Sequence, residues 1–370
     1  PDVLMPTTDA VKGCRSFRKL RRIIRSAAGI LAFVKREVWD MEAKKEILRI
    51  EHLKKYFPIK SALGRVISEV KAVDGVSLTL HEGETYGLVG ETGCGKSTLG
   101  RTILKLTEPT GGKIYANGKD ITDFGHKQME PYRKKMQMVF QDPYTSLDPR
   151  KRVGDILTEA LSIHSIGTKN ERMEMAMEIL NKTGLRPQHF YRYPHEFSGG
   201  QRQRVGLARA LILKPDFIVC DEPVSALDVS VQSQIINLLL DLQEDSRVTY
   251  LFIAHDMSVV KYISTRIAVM YLGHMVEEAA TDDLFALPAH PYTQALLSAV
   301  PSSNPHIKKE RIILQGEIPS PVNAPSGCVF HTRCPQCMPI CREKEPQMKA
   351  VMKGHCVACH LYDDKNEGEG

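Results

Sequence analysis

A glycine-rich segment near residue 90 combines small residues, a lysine and two hydroxyl residues at fixed spacing. It lies between a strand-like run and a helical pattern. Glycines allow backbone N–H groups to turn inward around phosphate oxygens, and the N-terminus of the next helix also favours an anion. Lys96 would reach the outer phosphates of a nucleotide, and Ser97 would bind Mg²⁺. The segment therefore predicts an ATP site made by Gly90, Glu91, Thr92, Gly93, Cys94, Gly95, Lys96, Ser97 and Thr98.

Two adjacent acids follow another strand-like run further along the chain. Asp221 and Glu222 come directly after the apolar residues Phe217 to Cys220. At the end of a strand beside the phosphate loop, Asp221 would hold Mg²⁺ through its water shell, and Glu222 would aim at a water in line with the γ-phosphate. An Asp-Glu pair after a strand can also simply cap a helix. The presence of the glycine-rich loop favours the interpretation as a hydrolytic site.

The elements that must position these side chains alternate along the chain. Strand-like runs occur at Val76–Leu80, Thr85–Val89, Phe217–Cys220 and Tyr250–Ala254, and helical spacing dominates Gly154–Thr183. A helical pattern follows each of the two later strand-like runs. Strands that alternate with helices of this length indicate an α/β fold whose mostly parallel sheet is covered on both faces.

The composition is that of a folded globular protein. Of the 370 residues, 42% are hydrophobic and 25% are charged, which excludes collagen-like, mucin-like and wholly disordered chains. The longest uncharged apolar run, from Ser26 to Val34, has nine residues, whereas a membrane-spanning helix needs about twenty. We therefore expect no transmembrane helix and, without a cleavable apolar leader, no secretion. The net charge of +6 is too small to indicate nucleic-acid binding by itself.

Residues 1–45 differ from the rest of the chain. Between Lys12 and Arg25 there are seven Lys or Arg and no acid, and apolar residues recur at three- and four-residue spacing from Phe17 to Val34. This pattern predicts a basic amphipathic helix. Such a helix could lie on an anionic membrane surface, or the segment could be a frayed tail or dock against another subunit, and the sequence leaves these interpretations open.

A further segment, between the glycine-rich loop and the acid pair, carries a second pair of glycines. Phe197-Ser-Gly-Gly-Gln201 precedes a basic and then apolar helical pattern. Two glycines beside a helix N-terminus form another anion site, which a single nucleotide does not need. From Ile47 to Ala280 the chain resembles the ATP-binding-cassette (ABC) ATPases, in which two subunits clamp ATP head to tail. The resemblance implies that this loop completes the partner subunit's ATP site through Ser198, Gly199, Gly200 and Gln201.

The same resemblance implies roles for isolated motif residues. Gln141, in Val-Phe-Gln-Asp-Pro, matches the loop that senses Mg²⁺ and touches the membrane partner. Asp228, which ends Ser-Ala-Leu-Asp, matches the dimer-interface loop, and it would act on the partner's ATP. Phe57, next to Tyr56, lies where the adenine-stacking aromatic residue belongs. His255 matches the switch histidine, so the implied catalytic residues are Lys96, Gln141, Glu222 and His255, and the implied Mg²⁺ ligands are Ser97, Gln141 and Asp221.

The resemblance implies a P-loop NTPase fold with three parts. These are a RecA-like core, an ABC β-subdomain and a helical signature subdomain at about residues 145–207. We expect the nucleotide-binding domain at residues 46–280 and a loop-rich extension with clustered cysteines at residues 281–370. Five segments of this extension resemble the oligopeptide/dipeptide importer branch of the family. They are His290–Pro301, Gln315–Pro321, Gly327–Cys334, Pro339–Cys341 and His355–His360.

Six of the nine cysteines lie in the last 43 residues. In a chain without an export signal this clustering favours a metal over disulfides, and four thiolates can fold a core-poor segment around an iron–sulfur cluster. The family resemblance implies a [4Fe–4S] cluster, and zinc or metal-free cysteines are the alternatives. Cys337 and Cys356 are additional to the four cysteine positions that the family resemblance implies as cluster ligands. The implied cluster ligands are Cys328, Cys334, Cys341 and Cys359.

Three classes of cassette protein compete as the function. They are an importer subunit, a soluble ATPase of translation or repair, and a sensor that binds ATP with little turnover. Only 101 residues separate Lys96 from Ser198, which leaves no room for the coiled-coil insertion of repair proteins, and translation proteins usually carry two cassettes. A sensor would more naturally lack Glu222 or His255. We therefore expect an ATPase that powers dipeptide or oligopeptide import, with nickel, glutathione or sugar as alternative cargo.

The importer resemblance also implies cofactors, partners and a location. The cofactors would be ATP and Mg²⁺. The partners would be a second, related cassette subunit, two transmembrane permease subunits and an external substrate-binding protein, with no nucleic acid. The chain would then lie at the cytoplasmic face of the plasma membrane.

Overall fold

The computed structural model describes residues 45–300 and 311–365, and residues 1–44 of the predicted basic helix lie outside the described part. The strands are β1 (Glu46–Lys60), β2 (Val66–His81), β3 (Thr85–Val89), β4 (Gly111–Ala116), β5 (Lys119–Asp120), β6 (Met136–Val139), β7 (Phe217–Asp221), β8 (Thr249–Ala254), β9 (Arg266–Tyr271), β10 (His274–Ala280), β11 (Lys349–Met352) and β12 (His355–Val357). The α-helices are α1 (Lys96–Ile103), α2 (His126–Lys135), α3 (Pro143–Ser146), α4 (Val153–Ile163), α5 (Lys169–Lys182), α6 (Gly199–Leu211), α7 (Val229–Ser246), α8 (Met257–Ile263), α9 (Thr281–Ala286), α10 (Pro291–Ser298) and α11 (Ile340–Glu343).

The larger sheet carries the predicted nucleotide motifs. Its strand order is β11-β12-β10-β9-β3-β8-β7-β6. The five strands from β9 to β6 are parallel to their neighbours, whereas β10, β12 and β11 are antiparallel. The predicted α/β fold with a mostly parallel central sheet is confirmed.

The middle of this sheet is buried on both faces. Every residue of β3, β7 and β8 is buried, as expected for continuous apolar runs in a parallel sheet covered by helices. Gly100 allows α1 to lie directly on the sheet, because a Cβ at this position would come within 2.8 Å of the Val219 side chain. One core thus forms on each face of the sheet.

A smaller antiparallel sheet, of order β2-β1-β4-β5, covers one of these faces. Apolar residues of β1 and β2 join the core beneath α1. The ends of β1 and β2 that pair Phe57 with Val70 extend beyond that core and are partly exposed. This sheet therefore places an exposed aromatic side chain beside the edge of the larger sheet, where the nucleotide motifs lie.

The helical spacing predicted from Gly154 to Thr183 forms two helices, α4 and α5, with a turn between them. Ser165 and Gly167 in this turn both have positive φ angles, of 54° and 64°. Thr168 and Glu171 then cap α5 reciprocally, since each side chain bonds the other residue's backbone N–H. The turn and the cap explain why one continuous helical pattern becomes two elements.

The C-terminal extension is more ordered than a loop-rich segment. Residues 311–339 are irregular, as predicted, but β11 and β12 continue the larger sheet beyond β10. In this pairing Val357 lies opposite Glu277, and Cys356 lies opposite Glu278. The extension therefore shares a hydrogen-bonded sheet with the nucleotide motifs.

Candidate active site

The glycine-rich segment connects β3 to α1 as the sequence predicts. A Cβ on Gly90 would collide with the Met270 carbonyl oxygen, and a Cβ on Gly95, whose φ is 105°, would collide with that of Ala72. Both positions therefore require glycine. The buried Nζ of Lys96 donates to the carbonyl oxygens of Gly90, at 2.8 Å, and Glu91, at 2.9 Å. The loop surrounds a cationic group at the start of a helix, which is a phosphate-binding arrangement.

A cleft of about 320 Å³ opens beside this loop, a volume within the range of small-molecule sites. The predicted residues Thr92 to Thr98 all line it, together with Phe57, Gln141 and Glu222. Gly90 and Glu91 begin the loop outside this lining. The structure thus brings most of the predicted ATP-binding residues to one cleft, whose remaining lining residues are Val70, Lys71, Ala72, Leu272, Gly273 and Pro321.

Asp221 lies at the end of β7, next to the start of α1. Its Oδ1 accepts a hydrogen bond from Ser97 Oγ at 2.6 Å, while its Oδ2 is buried and has no hydrogen-bond partner among the described residues. Burial is the largest influence on this carboxyl and raises its pKa. A hydroxyl and a carboxylate with an unused oxygen are hard ligands of the kind that Mg²⁺ prefers. These residues therefore fit the predicted Mg²⁺.

Glu222 brings two other predicted residues together. Its Oε2 lies 3.0 Å from the donating Nε2 of Gln141 and 3.2 Å from Nδ1 of His255. Its backbone φ is 44°, in the left-handed region that a glutamate seldom adopts. Strained backbone of this kind persists only where the surroundings hold it, and it is common at functional sites. The carboxylate is only 8% exposed, so it faces the cleft rather than bulk solvent.

The two aromatic residues at positions 56 and 57 have different surroundings. Phe57 lines the cleft and is 40% exposed, with the Lys55 ammonium 4.9 Å from its ring centre. The hydroxyl of Tyr56 donates to Asp74 at 2.5 Å. This geometry favours Phe57 as the aromatic residue available to a bound base.

Two helices are capped by the residues that we predict to act on the nucleotide of a partner subunit. Ser198 and Gln201 form a capping box at the start of α6, with bonds of 3.1 and 3.4 Å. Asp228 caps α7 by accepting the backbone N–H of Val231 at 3.0 Å. None of these residues is among the described residues that line the cleft. Each chain thus presents them apart from its own phosphate loop.

Comparisons with known proteins agree with this geometry. A model of the ABC transporter family matches residues 73–225, and a model of the oligopeptide/dipeptide transporter C-terminal region matches residues 276–341. The oligopeptide transport ATP-binding protein AppF of Bacillus subtilis is 55% identical over 85% of this chain and 97% of its own length. The dipeptide transport ATP-binding protein DppF of Haemophilus influenzae is 47% identical over 88% of this chain and 99% of its own length.

The chain belongs to the ATP-binding subunits of oligopeptide and dipeptide ABC transporters. The importer class is therefore confirmed over the translation, repair and sensor classes. Among solved structures, the ATP-binding cassette MJ0796 bound to ADP and Pi is 28% identical, with a TM-score of 0.58 over 64% of this chain and 99% of that structure. This chain has the fold of the ABC ATPases and binds ATP. It belongs to a family whose cassettes dimerise and work with membrane permeases. Within its described residues, no helix is long and apolar enough to cross a membrane.

The predicted iron–sulfur cluster is wrong. Within residues 45–300 and 311–365, no three His, Cys, Asp or Glu side chains are grouped so that they could hold a metal ion. The proposed ligands Cys328, Cys334, Cys341 and Cys359 are free thiols, and so are Cys337 and Cys356. Burial raises the pKa of Cys328 to about 12 and that of Cys359 to about 11. Cys328 and Cys341 instead belong to the apolar core.

Sequence reasoning missed three residues of the extension that contact the cleft or the phosphate loop. Pro321 lines it, and both Arg333 and Tyr292 contact Glu91 of the phosphate loop. All three lie within segments that the sequence marks as typical of the importer branch. Nothing in their spacing indicates that they fold back onto a loop some 200 residues earlier, since such contacts depend on the tertiary structure.

Proposed function

We propose that this cassette ATPase hydrolyses ATP to drive the uptake of peptides through a membrane transporter. The observation that carries the proposal is the contact of Glu222 with Gln141 and His255 beside the phosphate-loop cleft. The names of AppF and DppF support oligopeptides or dipeptides as the cargo class. No described residue favours nickel, glutathione or sugar over peptides.

Lys96 and the loop amides bind the phosphates. Lys96 Nζ is buried and held by two loop carbonyl oxygens, so the cation is already in position. When ATP enters, these bonds are exchanged for bonds to phosphate oxygens. Since the lysine and the amides are fixed before the reaction, they stabilise the charge of the transferring phosphoryl group at little reorganisation cost.

Ser97, Asp221 and Gln141 would hold the magnesium ion that accompanies ATP. Ser97 Oγ would give up its bond to Asp221 Oδ1, and the buried Oδ2 supplies a second acceptor. Gln141 uses its amide nitrogen on Glu222, which leaves its carbonyl oxygen for the ion. When bound, the ion neutralises charge on the β- and γ-phosphates.

Glu222 positions and polarises the attacking water. Its carboxylate is anchored by the Gln141 amide and by His255, and the strained backbone aims it into the cleft. An imidazole protonated on both ring nitrogens can donate from Nδ1 to this carboxylate and still donate from Nε2. His255 would use that nitrogen to steady the γ-phosphate. Phe57 would stack on the base at the other side of the cleft.

A second cassette would complete the site. The α6 N-terminus with Ser198–Gln201, and Asp228 before α7, would approach the partner's γ-phosphate in a head-to-tail dimer. The dimeric structure of MJ0796, a bacterial ABC transporter cassette that is 28% identical to this chain, supports a dimer. The partner would be a related subunit of the same transporter. Two transmembrane subunits and an external peptide-binding protein would complete the assembly at the cytoplasmic face of the membrane.

The proposal is tested by placing a charge at the N-terminus of α6, within Ser198–Gln201, without disturbing the fold. A Cβ at Gly199 meets only Leu227, at an ordinary 3.6 Å, so Gly199→Asp fits within the subunit. In a transporter purified from membranes through a tag on this chain, the added carboxylate would face the partner's phosphates. We expect peptide-stimulated ATP hydrolysis to fall about 100-fold, the size of effect seen when one transition-state contact is lost.

Gly199→Ser is the matched control, because it adds a side chain at the same place without charge, and it should hydrolyse ATP at close to the original rate. Unchanged hydrolysis by Gly199→Asp would refute a role for this loop at the partner's site. Hydrolysis that no peptide stimulates would count against a peptide cargo.

A further inference from the structure

Every polar group of Glu91 is hydrogen-bonded, and two of its four partners, Arg333 and Tyr292, come from the C-terminal extension, the others being Lys96 and the backbone N–H of Cys94. Its carboxylate accepts two hydrogen bonds from the Arg333 guanidinium, at 2.8 and 3.2 Å. Its backbone N–H donates to the Tyr292 hydroxyl at 2.9 Å. Its carbonyl oxygen accepts from Lys96 Nζ, also at 2.9 Å. The second residue of the phosphate loop is thus fixed between the extension and the phosphate-binding lysine.

The Arg333–Glu91 pair is largely removed from solvent. The side chain of Arg333 is 8% exposed and that of Glu91 is 23% exposed. The guanidinium also lies 6.0 Å from the ring centre of Tyr271, at the end of β9. A bidentate pair at this depth fixes orientation as well as distance, unlike an exposed ion pair.

The extension is firmly packed where it holds Glu91. Tyr292 is completely buried, and its ring centre lies 4.8 Å from that of Tyr271 and 5.3 Å from that of Phe330. Phe330, three residues before Arg333, also packs edge-on against Tyr271 at 5.2 Å. This aromatic cluster ties α10, β9 and the segment of Arg333 together, so the contacts to Glu91 come from a rigid support.

The extension also forms part of the wall of the nucleotide cleft. Pro321 lines the cleft, and its carbonyl oxygen accepts the backbone N–H of Lys71 at 3.3 Å. A second cavity, of about 360 Å³, separates Ile318–Pro321 from the loop residues Glu91–Cys94. The extension therefore contacts the loop through Arg333 and Tyr292 and faces the cleft through Pro321.

We propose that Arg333 is a positioning residue for ATP, and that through Glu91 it makes the phosphate loop's affinity for ATP depend on the C-terminal extension. The inference rests on the proposed function, because it assumes that the loop binds ATP. It assigns to the extension a contribution to the nucleotide site of its own chain.

The charge of Glu91 explains why the loop needs this partner. A carboxylate in the loop that binds a polyanionic triphosphate repels it, and partial burial strengthens the repulsion. Arg333 cancels the charge and holds the carboxylate against the extension. Without Arg333, the carboxylate is unpaired and the loop loses its fixed position. If both side chains were uncharged, the repulsion would disappear.

The experiment measures the dissociation constant of a fluorescent ATP analogue for the purified full chain by titration. Arg333→Met removes the charge and both hydrogen bonds, and we expect the dissociation constant to rise about tenfold, within the usual range of coupling between sites. Arg333→Gln keeps an amide donor without the charge, so it provides a milder variant should Arg333→Met not fold. Arg342→Met is the matched control, since Arg342 is an exposed arginine of the same extension.

The double variant Arg333→Met/Glu91→Gln should bind the analogue at least threefold more tightly than Arg333→Met, because a removed charge no longer repels the phosphates. A general loss of packing would not show such a rescue. In the assembled transporter, Arg333→Gln should raise KM for ATP and change kcat by less than about twofold. The proposal would be overturned if folded Arg333→Gln bound the ATP analogue with the affinity of the original protein. It would also be overturned if the double variant bound the analogue no more tightly than Arg333→Met. Failure of the unaltered chain to bind the analogue would instead refute the proposed function.

Discussion

The phosphate-loop cleft and the junction of β10 with the C-terminal extension each contain a nearly or completely buried glutamate, but the two carboxylates have different surroundings. Glu277, at 0% exposure, accepts hydrogen bonds from the backbone N–H groups of Ala289 and His290, at 2.7 and 2.8 Å, and contacts His355 Nε2 at 2.7 Å. Glu222 has a strained backbone, and two side chains direct its carboxylate into the cleft.

Similar residue types thus serve structure in one region and, in the role that we propose for Glu222, catalysis in the other. At the junction with the extension, both carboxylate oxygens of Glu277 are hydrogen-bonded and join β10 to α10 and β12, and in the extension Cys328 and Cys341 lie in the apolar core. Beside the cleft, Asp221 Oδ2 accepts no hydrogen bond from the described residues, and the Arg101 guanidinium lies 3.9 Å from it. A buried carboxylate oxygen without a hydrogen bond costs stability, which is consistent with the proposed Mg²⁺ site.

The largest expected effect is on the cleft glutamate. Glu222→Gln keeps the shape of the side chain but removes the charge that polarises water. We expect kcat for ATP hydrolysis in the assembled transporter to fall about 100- to 10,000-fold, while the chain still binds ATP. The free energy of unfolding should change by less than about 1 kcal/mol. Turnover close to that of the original protein would remove Glu222 from its proposed role.

The buried glutamate should show the opposite behaviour. Glu277→Ala leaves two backbone N–H groups and His355 without their acceptor, so we expect unfolding by urea to require about 3–5 kcal/mol less free energy. Glu277→Gln is the control, because its carbonyl oxygen still accepts and the loss should be smaller. A loss below about 1 kcal/mol for Glu277→Ala would contradict the structural role of this carboxylate.

A pH titration tests the same region. Burial lowers the pKa of His290 to about 4, and its neutral Nδ1 accepts the Tyr292 N–H that caps α10. Because the unfolded chain takes up this proton near pH 6.5 and the folded chain only near pH 4, stability should fall as pH drops through that window, by about 3 kcal/mol.

His290→Asn keeps a cap acceptor without a titrating group, so its stability should vary less over this range. The free energy of unfolding in urea at pH 7, 5.5 and 4.5 would measure the difference between the two proteins. Equal pH dependence would show that other groups cause the loss.

The smallest effect is expected at the aromatic side of the cleft. Phe57→Ala removes the ring proposed to stack on the base, and KM for ATP should rise about fivefold, at the lower end of stacking contributions because the ring is 40% exposed. Tyr56→Phe is the neighbouring control, since it removes only the hydroxyl bound to Asp74, and its KM should be unchanged. A larger change in KM at Tyr56 than at Phe57 would reverse the assignment.

Much of the cleft could be predicted from sequence because its residues follow strands directly. Parallel strands end at the same edge of a sheet, so Asp221 after β7, His255 after β8 and the loop after β3 had to meet there. The motif spacing carried this information. The capping roles of Ser198 and Asp228 are likewise visible in their local patterns.

The extension could not be predicted in the same way. The clustering of cysteines in the sequence indicates a metal, whereas the structure packs Cys328 and Cys341 into the apolar core. The contact of Arg333 with Glu91 joins residues 242 positions apart, which no local pattern encodes. The short strands β11 and β12 lack a clear alternating pattern and are defined mainly by pairing.

The pairing of β12 with β10 limits how the protein can be divided or recombined. A chain shortened at Ala280 would expose the hydrogen-bonding edge of β10 along its whole length. Glu277 on this strand would also lose its hydrogen bonds to His355 and to the start of α10. Bare strand edges recruit other chains and aggregate. Hybrids between relatives should therefore exchange the cassette and its extension as one unit, with their junction placed before β1.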